Sequence, residues 1–225
     1  SCDMDKIIKI AKKYNLKIIE DCAQAQGAMY KNKFVGTFGD LGCFSFYPTK
    51  VLGAYSDGGF VLTNSFKHYQ NVKKIRFYGI DTVNKNNKFF NKYYSNINGV
   101  NSRLDEINSE ILNFKLKKID TYIKKRRILA NIYDKELKNT SLKIPSRSKE
   151  LFDVFHLYTV YHPKRDKIIN KLHDLFICTD NMCTSPTLTI SHINKISCHQ
   201  YFLLTHALCK RKILFCFGAR AKAKL

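Results

Sequence analysis

The chain has 225 residues, 44% of them hydrophobic and 25% charged, with a formal net charge of +21. That balance excludes intrinsic disorder and collagen-like repeats, and no apolar run approaches the roughly 18–20 residues that would span a bilayer. The charge comes from 31 Lys and 8 Arg and is spread evenly, 28 basic against 14 acidic residues in 1–150 and 11 against 4 in 151–225, unlike the clustered basic face of a nucleic-acid binder.

The opening Ser1-Cys2-Asp3-Met4-Asp5 has no charged-then-apolar leader pattern and no initiator Met, so the chain is expected to be a fragment. Asp3 is placed to cap a helix whose apolar positions Ile7, Ile8, Ile10, Ala11 and Tyr14 repeat at helical spacing. A short strand is predicted over Leu16 to Ile19, ending in the acidic pair Glu20-Asp21. Helix, then strand, then carboxylate is the rhythm of an α/β domain, in which ligands meet the carboxyl ends of strands. Leu41 to Phe46 and Gly58 to Thr63 read as two more strands, joined through a glycine-rich turn, and Ser65 is placed to cap a helix through about Phe77.

An Asn-rich loop is predicted from Asp81 to about Asn98, and then one long helix from Ser102 to about Leu137, with Asp105 three residues after Ser102 as a capping signal. This helix is expected to bridge a large domain, residues 1–100, to a small one, the bridge running over 101–145 with Pro145 at the joint. The small domain begins over 146–177, with a strand at Phe155 to Tyr161 and a helix at Lys164 to His173. Beyond about Asp174 neither period persists, and residues 178–225 are left unassigned. Five of the eight cysteines fall there: Cys178, Cys183, Cys198, Cys209 and Cys216. Without a C-x-x-C pair they make no zinc pattern, so no metal and a reduced, cytoplasmic chain are expected.

The chemistry concentrates within thirty residues: Asp21 at a strand end, Ser45 and Lys50 around a strand-to-loop junction, and the glycine-rich turn that follows. Singly each residue is ordinary. Together they suit pyridoxal 5'-phosphate, which needs a lysine amine for covalent attachment, a carboxylate to keep its ring nitrogen protonated, and hydroxyls and amides for its phosphate.

These residues lie within longer motifs. The stretches Glu20-Asp-Cys-Ala-Gln-Ala-Gln-Gly-Ala28, Gly39-Asp-Leu-Gly-Cys-Phe-Ser-Phe-Tyr-Pro-Thr-Lys50 and Leu52-Gly-Ala-Tyr-Ser-Asp-Gly-Gly59 resemble nucleotide-sugar aminotransferases of the DegT/DnrJ/StrS type. So do Asn101-Ser-Arg-Leu-Asp-Glu106 and Phe155-His-Leu-Tyr158, and the resemblance runs in register over roughly residues 1–174. It implies an α/β chain forming part of a fold-type I aminotransferase: the C-terminal part of the large cofactor domain plus a small α+β domain.

By that resemblance Lys50 is the catalytic lysine that carries the cofactor and shuttles a proton. Asp21 pairs with the ring nitrogen, Gln24 lies against the ring, and Ser45 hydrogen-bonds the phosphate. Asn101 reaches the cofactor phosphate of a second subunit, which implies a homodimer, with Arg103 and the loop around Tyr94 near the same site. The implied reaction takes nitrogen from L-glutamate to a nucleotide-linked keto-deoxysugar, such as a dTDP-3-keto-6-deoxyhexose, in deoxyaminosugar and surface-polysaccharide synthesis. A lysine at position 50 disfavours the dehydratase relatives, which carry His there.

Departures from the family pattern are Gln26 for His, Val51 for Asn and Ser56 for Gly. The family's first hundred or so residues do not precede Ser1, and its later small-domain motif does not follow Asp174, where a frameshift or a degraded reading frame near residues 174–178 is expected. Two rival readings therefore stand beside the enzyme: an inactive remnant of the family, and a basic binding module resting on net charge alone.

Overall fold

The computed structural model describes residues 1–80, 94–95, 97–174, 179–180 and 187–190, and for 173–174, 179–180 and 187–190 the backbone alone. The described residues divide into two compact units, one of residues 1–123 with 149–154 and one built from 124–148 with the described residues between 155 and 190.

The first unit opens with helix α1 (Met4–Lys13), capped by the Asp3 carboxylate, which accepts from the Lys6 amide. Lys12 and Lys13 sit in its last turn, where the helix dipole favours cations. Strand β1 (Ile19–Asp21) follows and takes in the acidic pair, starting three residues and ending two residues later than the hydrophobic pattern suggests. The shift has a local cause: Asp40 accepts from the Ile18 amide, while the Ile18 carbonyl accepts from Asp40 and Leu41, so pairing begins one residue after Ile18. A hairpin of β2 (Met29–Tyr30) and β3 (Lys33–Phe34) precedes β4 (Leu41–Ser45) and β5 (Gly59–Leu62). Strand β1 runs parallel to β4, and β4 antiparallel to β5, giving a mixed three-stranded sheet in the order β1-β4-β5.

Helix α2 (Phe66–Ile75) is capped by Ser65, as its sequence predicts. The stretch expected as a single helix from Ser102 is two helices, α3 (Glu106–Leu116) and α4 (Ile119–Leu137). Asp105 caps the first of these, accepting from the Asn108 amide. The break falls at Lys117-Lys118, where the Lys118 amide closes a tight turn on the Lys115 carbonyl. Ile119 packs against both apolar clusters of this unit, so packing rather than periodicity ends α3. Strand β6 (Leu151–Phe152) pairs with β2 across more than 120 residues of sequence.

One core cluster gathers Cys22, Ala28, Val35, Val51, Ile123 and Val154; a second gathers Phe46, Leu52, Ala54 and Leu112. Gly36 has a positive φ of 87°, and a Cβ there would lie 2.5 Å from the Phe44 ring, so only glycine fits the turn into β4. On the same sheet Ile19, Phe60, Val61 and Leu62 are exposed, at 61%, 41%, 37% and 37%.

In the second unit, β7 (Tyr158–Tyr161) alternates buried and exposed residues and pairs with β9 (Thr187–Ile190), which also pairs with β8 (Thr179–Asp180). Helix α5 (Arg165–Asp174) lies one residue from its predicted start. Strand β7 begins three residues later than Phe155, because Phe155 adopts a left-handed backbone with φ of 49°. Its core is Ala130, Phe155, Tyr158, Val160 and Ile169. Tyr158 is fully buried and donates to Asp134 at 2.7 Å, and that carboxylate also pairs with Arg147. Burial and the Asp134 carboxylate push the Tyr158 phenol upward in pKa. Most of the predicted 81–98 loop and the five C-terminal cysteines lie outside the described residues.

Candidate active site

The site is built at one edge of the β1-β4-β5 sheet. Because β1 and β4 are parallel with Asp21 opposite Cys43, both strands deliver their carboxyl ends to the same edge, Asp21 from one and Ser45 from the other. At ordinary strand spacing the two Cα atoms stand about 8 Å apart. Gly59 pairs with Ser45, so the glycine-rich turn returns to this edge as well.

After Asp21 the chain turns at once. The Cys22 amide donates to the Cys43 carbonyl at 2.8 Å, and the Asp21 carboxylate accepts from the Ala23 amide at 3.1 Å. These bonds leave Asp21 and Gln24 exposed, while Cys22 and Ala23 turn into the core. Burial and the neighbouring Glu20 and Asp21 carboxylates push the Cys22 thiol up to about 12. Burial and Asp21 push Cys43 in the same direction.

At the end of β4 the Ser45 hydroxyl oxygen accepts from the Tyr47 amide at 3.2 Å, which leaves its proton available as a donor. The Lys50 amide donates to the Tyr47 carbonyl at 2.9 Å in the next turn, with the Lys50 side chain half-buried. The loop then closes through Ala54 to the Phe46 carbonyl and Phe46 to the Gly58 carbonyl, both at 2.7 Å. Asp21 and Ser45 thus stand at one strand edge, with Gln24 three residues beyond the first and Lys50 five residues beyond the second. Asn101 is anchored differently: it is exposed, forms a β-bridge with Phe77, and accepts from the Arg103 guanidinium at 3.1 Å.

Three buried polar side chains frame the edge, and the sequence reading gave none of them a role: Glu20, Gln26 and Asn108. The Glu20 carboxylate accepts from the amides of Gly36, Phe38 and Gly39, each at 2.7 Å, fixing the approach to β4. Gln26 donates to the Ala23 carbonyl at 3.3 Å and the Ser45 carbonyl at 2.5 Å, tying the turn after β1 to the end of β4. Two facing carbonyls fix the amide orientation, and the Gln26 carbonyl oxygen is left buried with no hydrogen-bond partner. Asn108 bonds the glycine-rich turn and Asp105, whose pKa it lowers through that hydrogen bond. Two departures from the family pattern, Gln26 and Ser56, are therefore engaged in hydrogen bonds here. Signals for these residues existed: an Asn in the first turn of a helix, and a second carboxylate beside Asp21 at a strand end.

A carboxylate and a hydroxyl on one strand-end edge, a lysine in the loop that leaves it and an orphaned buried acceptor are groups that fit what pyridoxal phosphate requires. Among the described residues no cluster of His, Cys, Asp and Glu could hold a metal ion. No described helix is long and apolar enough to cross a membrane.

Comparison with known proteins follows the same direction. The model of the DegT/DnrJ/EryC1/StrS aminotransferase family matches residues 1–217. The chain is 41% identical over 176 residues to a dTDP-3-amino-3,4,6-trideoxy-alpha-D-glucose transaminase of Micromonospora megalomicea, covering 76% of this chain and 45% of that one. It is 43% identical over 166 residues to a dTDP-3-amino-3,6-dideoxy-alpha-D-galactopyranose transaminase of Aneurinibacillus thermoaerophilus, covering 74% and 43%. The chain therefore spans less than half the length of either relative. A solved DegT DnrJ EryC1 StrS aminotransferase from Brucella abortus superposes with a TM-score of 0.75 at 24% identity, covering 94% of this chain and 62% of that one, which establishes the shared fold.

Proposed function

The chain belongs to the DegT/DnrJ/EryC1/StrS aminotransferase family, and we propose from that membership that it carries out pyridoxal-phosphate-dependent amino transfer to a nucleotide-linked keto sugar. The observation that carries this reading is the convergence of Asp21 and Ser45 on one sheet edge, with Lys50 in the loop that leaves it. When bound, pyridoxal phosphate supplies an aldehyde that captures the amine and a ring that draws electron density from the adjacent carbon.

The protein's residues do the rest. The Asp21 carboxylate holds a proton on the ring nitrogen, and a charge-assisted hydrogen bond of this kind contributes roughly 1.5–3 kcal/mol. The Ser45 hydroxyl donates to the phosphate, and Gln24 lies against the ring. The Lys50 amine anchors the cofactor and then moves the proton to and from the substrate carbon that bears the nitrogen. The net exchange converts L-glutamate and the keto sugar into 2-oxoglutarate and the amino sugar. Transfer to carbon three of a dTDP-linked 6-deoxyhexose is supported by the names of the two similar transaminases. Asn101, exposed and held by Arg103, serves the phosphate of a second copy in a cytoplasmic homodimer.

The test supplies the chain with pyridoxal phosphate and L-glutamate and counts 2-oxoglutarate released. Stoichiometric release that Lys50→Ala abolishes supports the reading; release that survives Lys50→Ala overturns it. A second reading, a remnant of the family that keeps Lys50 and Asp21 but closes no cofactor site, is favoured by the exposed apolar sheet residues Ile19, Phe60, Val61 and Leu62. That reading predicts neither cofactor capture on Lys50 nor any keto acid.

A further inference from the structure

We propose that Asn108 is a positioning residue for Lys50, acting through the glycine-rich turn, an inference that rests on the role of Lys50 given above. Asn108 lies in the first turn of α3 and is 8% exposed. Its carbonyl oxygen accepts from the Tyr55 amide at 2.9 Å, and its amide nitrogen donates to the Ser56 hydroxyl and to the Asp105 carboxylate, both at 2.7 Å. The partners fix the orientation, since Tyr55 offers only a proton and Asp105 only lone pairs. Both protons of the amide are used, and both fix a named segment.

Lys115, seven residues further along the same helix, extends the hold. Its ammonium donates to the Gly53 carbonyl at 2.6 Å and lies 4.9 Å from the Tyr55 ring centre. One helix thus grips positions 53, 55 and 56 through polar bonds, while Leu112 shares an apolar cluster with Leu52 and Ala54. The grip reaches Lys50 along a short and stiff path. Gly53 sits so close to the Pro48 carbonyl that a Cβ there would overlap it, and the Lys50 amide is already tied to Tyr47. A turn held at both ends leaves its middle residue few backbone conformations, and positional error at a reacting amine is costly.

A core amide with a purely structural role would also destabilise the chain when removed, so the test needs a readout that stability alone does not move. The intact chain is titrated with pyridoxal phosphate, following the visible band of the lysine-bound cofactor, its pH midpoint, and the exchange rate of the Tyr55 amide. Asn108→Leu keeps the shape and removes the bonds. It is expected to weaken cofactor binding roughly tenfold, about the effect of one buried hydrogen bond, to speed Tyr55 exchange by a similar factor, and to shift the pH midpoint. Asn108→Gln, which restores an amide, is expected to recover part of the loss, and Asn113→Ala on the same helix is expected to change nothing.

If circular dichroism shows that Asn108→Leu does not fold, Ser56→Ala and Lys115→Met carry the test, each removing one bond and each expected to move affinity and midpoint in the same direction. Variants that lose thermal stability but keep the parent's affinity and pH midpoint overturn the proposal. A parent chain that never captures pyridoxal phosphate on Lys50 overturns instead the functional reading beneath it.

Discussion

Glu20 is the most connected buried acid among the described residues, and replacing it by Gln perturbs the sheet edge directly. One carboxylate oxygen accepts from Gly36, and the other accepts from both Phe38 and Gly39, all at 2.7 Å. Gln is isosteric, so no cavity forms. If the Gln oxygen keeps Phe38 and Gly39, its amide protons face the Gly36 N–H, and a buried donor loses its acceptor at a cost of about 1–3 kcal/mol. The two surviving bonds lose their charge assistance, which is worth roughly 0.5–1 kcal/mol each. Glu20→Gln should therefore destabilise the chain by about 2–5 kcal/mol, a large share of a marginal stability of about 5–15 kcal/mol. Urea unfolding followed by circular dichroism gives the difference, and amide exchange localises it, with Gly36 losing the most protection. A loss below about 0.5 kcal/mol with unchanged Gly36 protection would refute the reasoning, because an ordinary surface substitution costs no more than that.

Gly42→Ala should destabilise by about 1–3 kcal/mol in the same unfolding measurement, because the added Cβ meets the Gly36 backbone rather than a movable side chain. Tyr158→Phe in the second unit removes the donor to Asp134 and should cost about 1–2 kcal/mol, read from its urea midpoint. Asp40 is held below its ordinary value of 3.8, first by the Ile18 amide and then by Lys17, so its contribution to stability is present above that value and lost as pH falls through the lower folded value. An acid titration of thermal stability should therefore show a shallower decline for Asp40→Asn than for the parent. Among the described cysteines, iodoacetamide at mildly alkaline pH should label exposed Cys2 while sparing Cys22 and Cys43, whose burial keeps them as thiols; peptide mapping reads this directly.

What the sequence made legible was local or carried by strand order. Asp3 and Ser65 announce their helices through capping, which needs only a few neighbouring residues. Asp21 and Ser45 could be placed at one edge because parallel strands deliver their carboxyl ends to the same side. What remained illegible depends on partners far along the chain. The pairing of β2 with β6 is such a case, as are the bonds from Asn108 to Tyr55 and Ser56, 52 or 53 residues away. The helix break at Lys117-Lys118 belongs with them, since a continuous apolar stripe gives no warning that Ile119 is claimed by two clusters at once. The left-handed Phe155 delays β7 although aromatic and β-branched residues run on through it.

The proposed chemistry depends first on Lys50 being the residue that carries the cofactor. Loading the chain with pyridoxal phosphate, reducing it with borohydride and mapping the peptides tests this in one step. A single pyridoxyl label is expected, on Lys50 in the peptide that follows Ser45, from among the 31 lysines of the chain. A label scattered over surface lysines, or one concentrated at any other position, would contradict it.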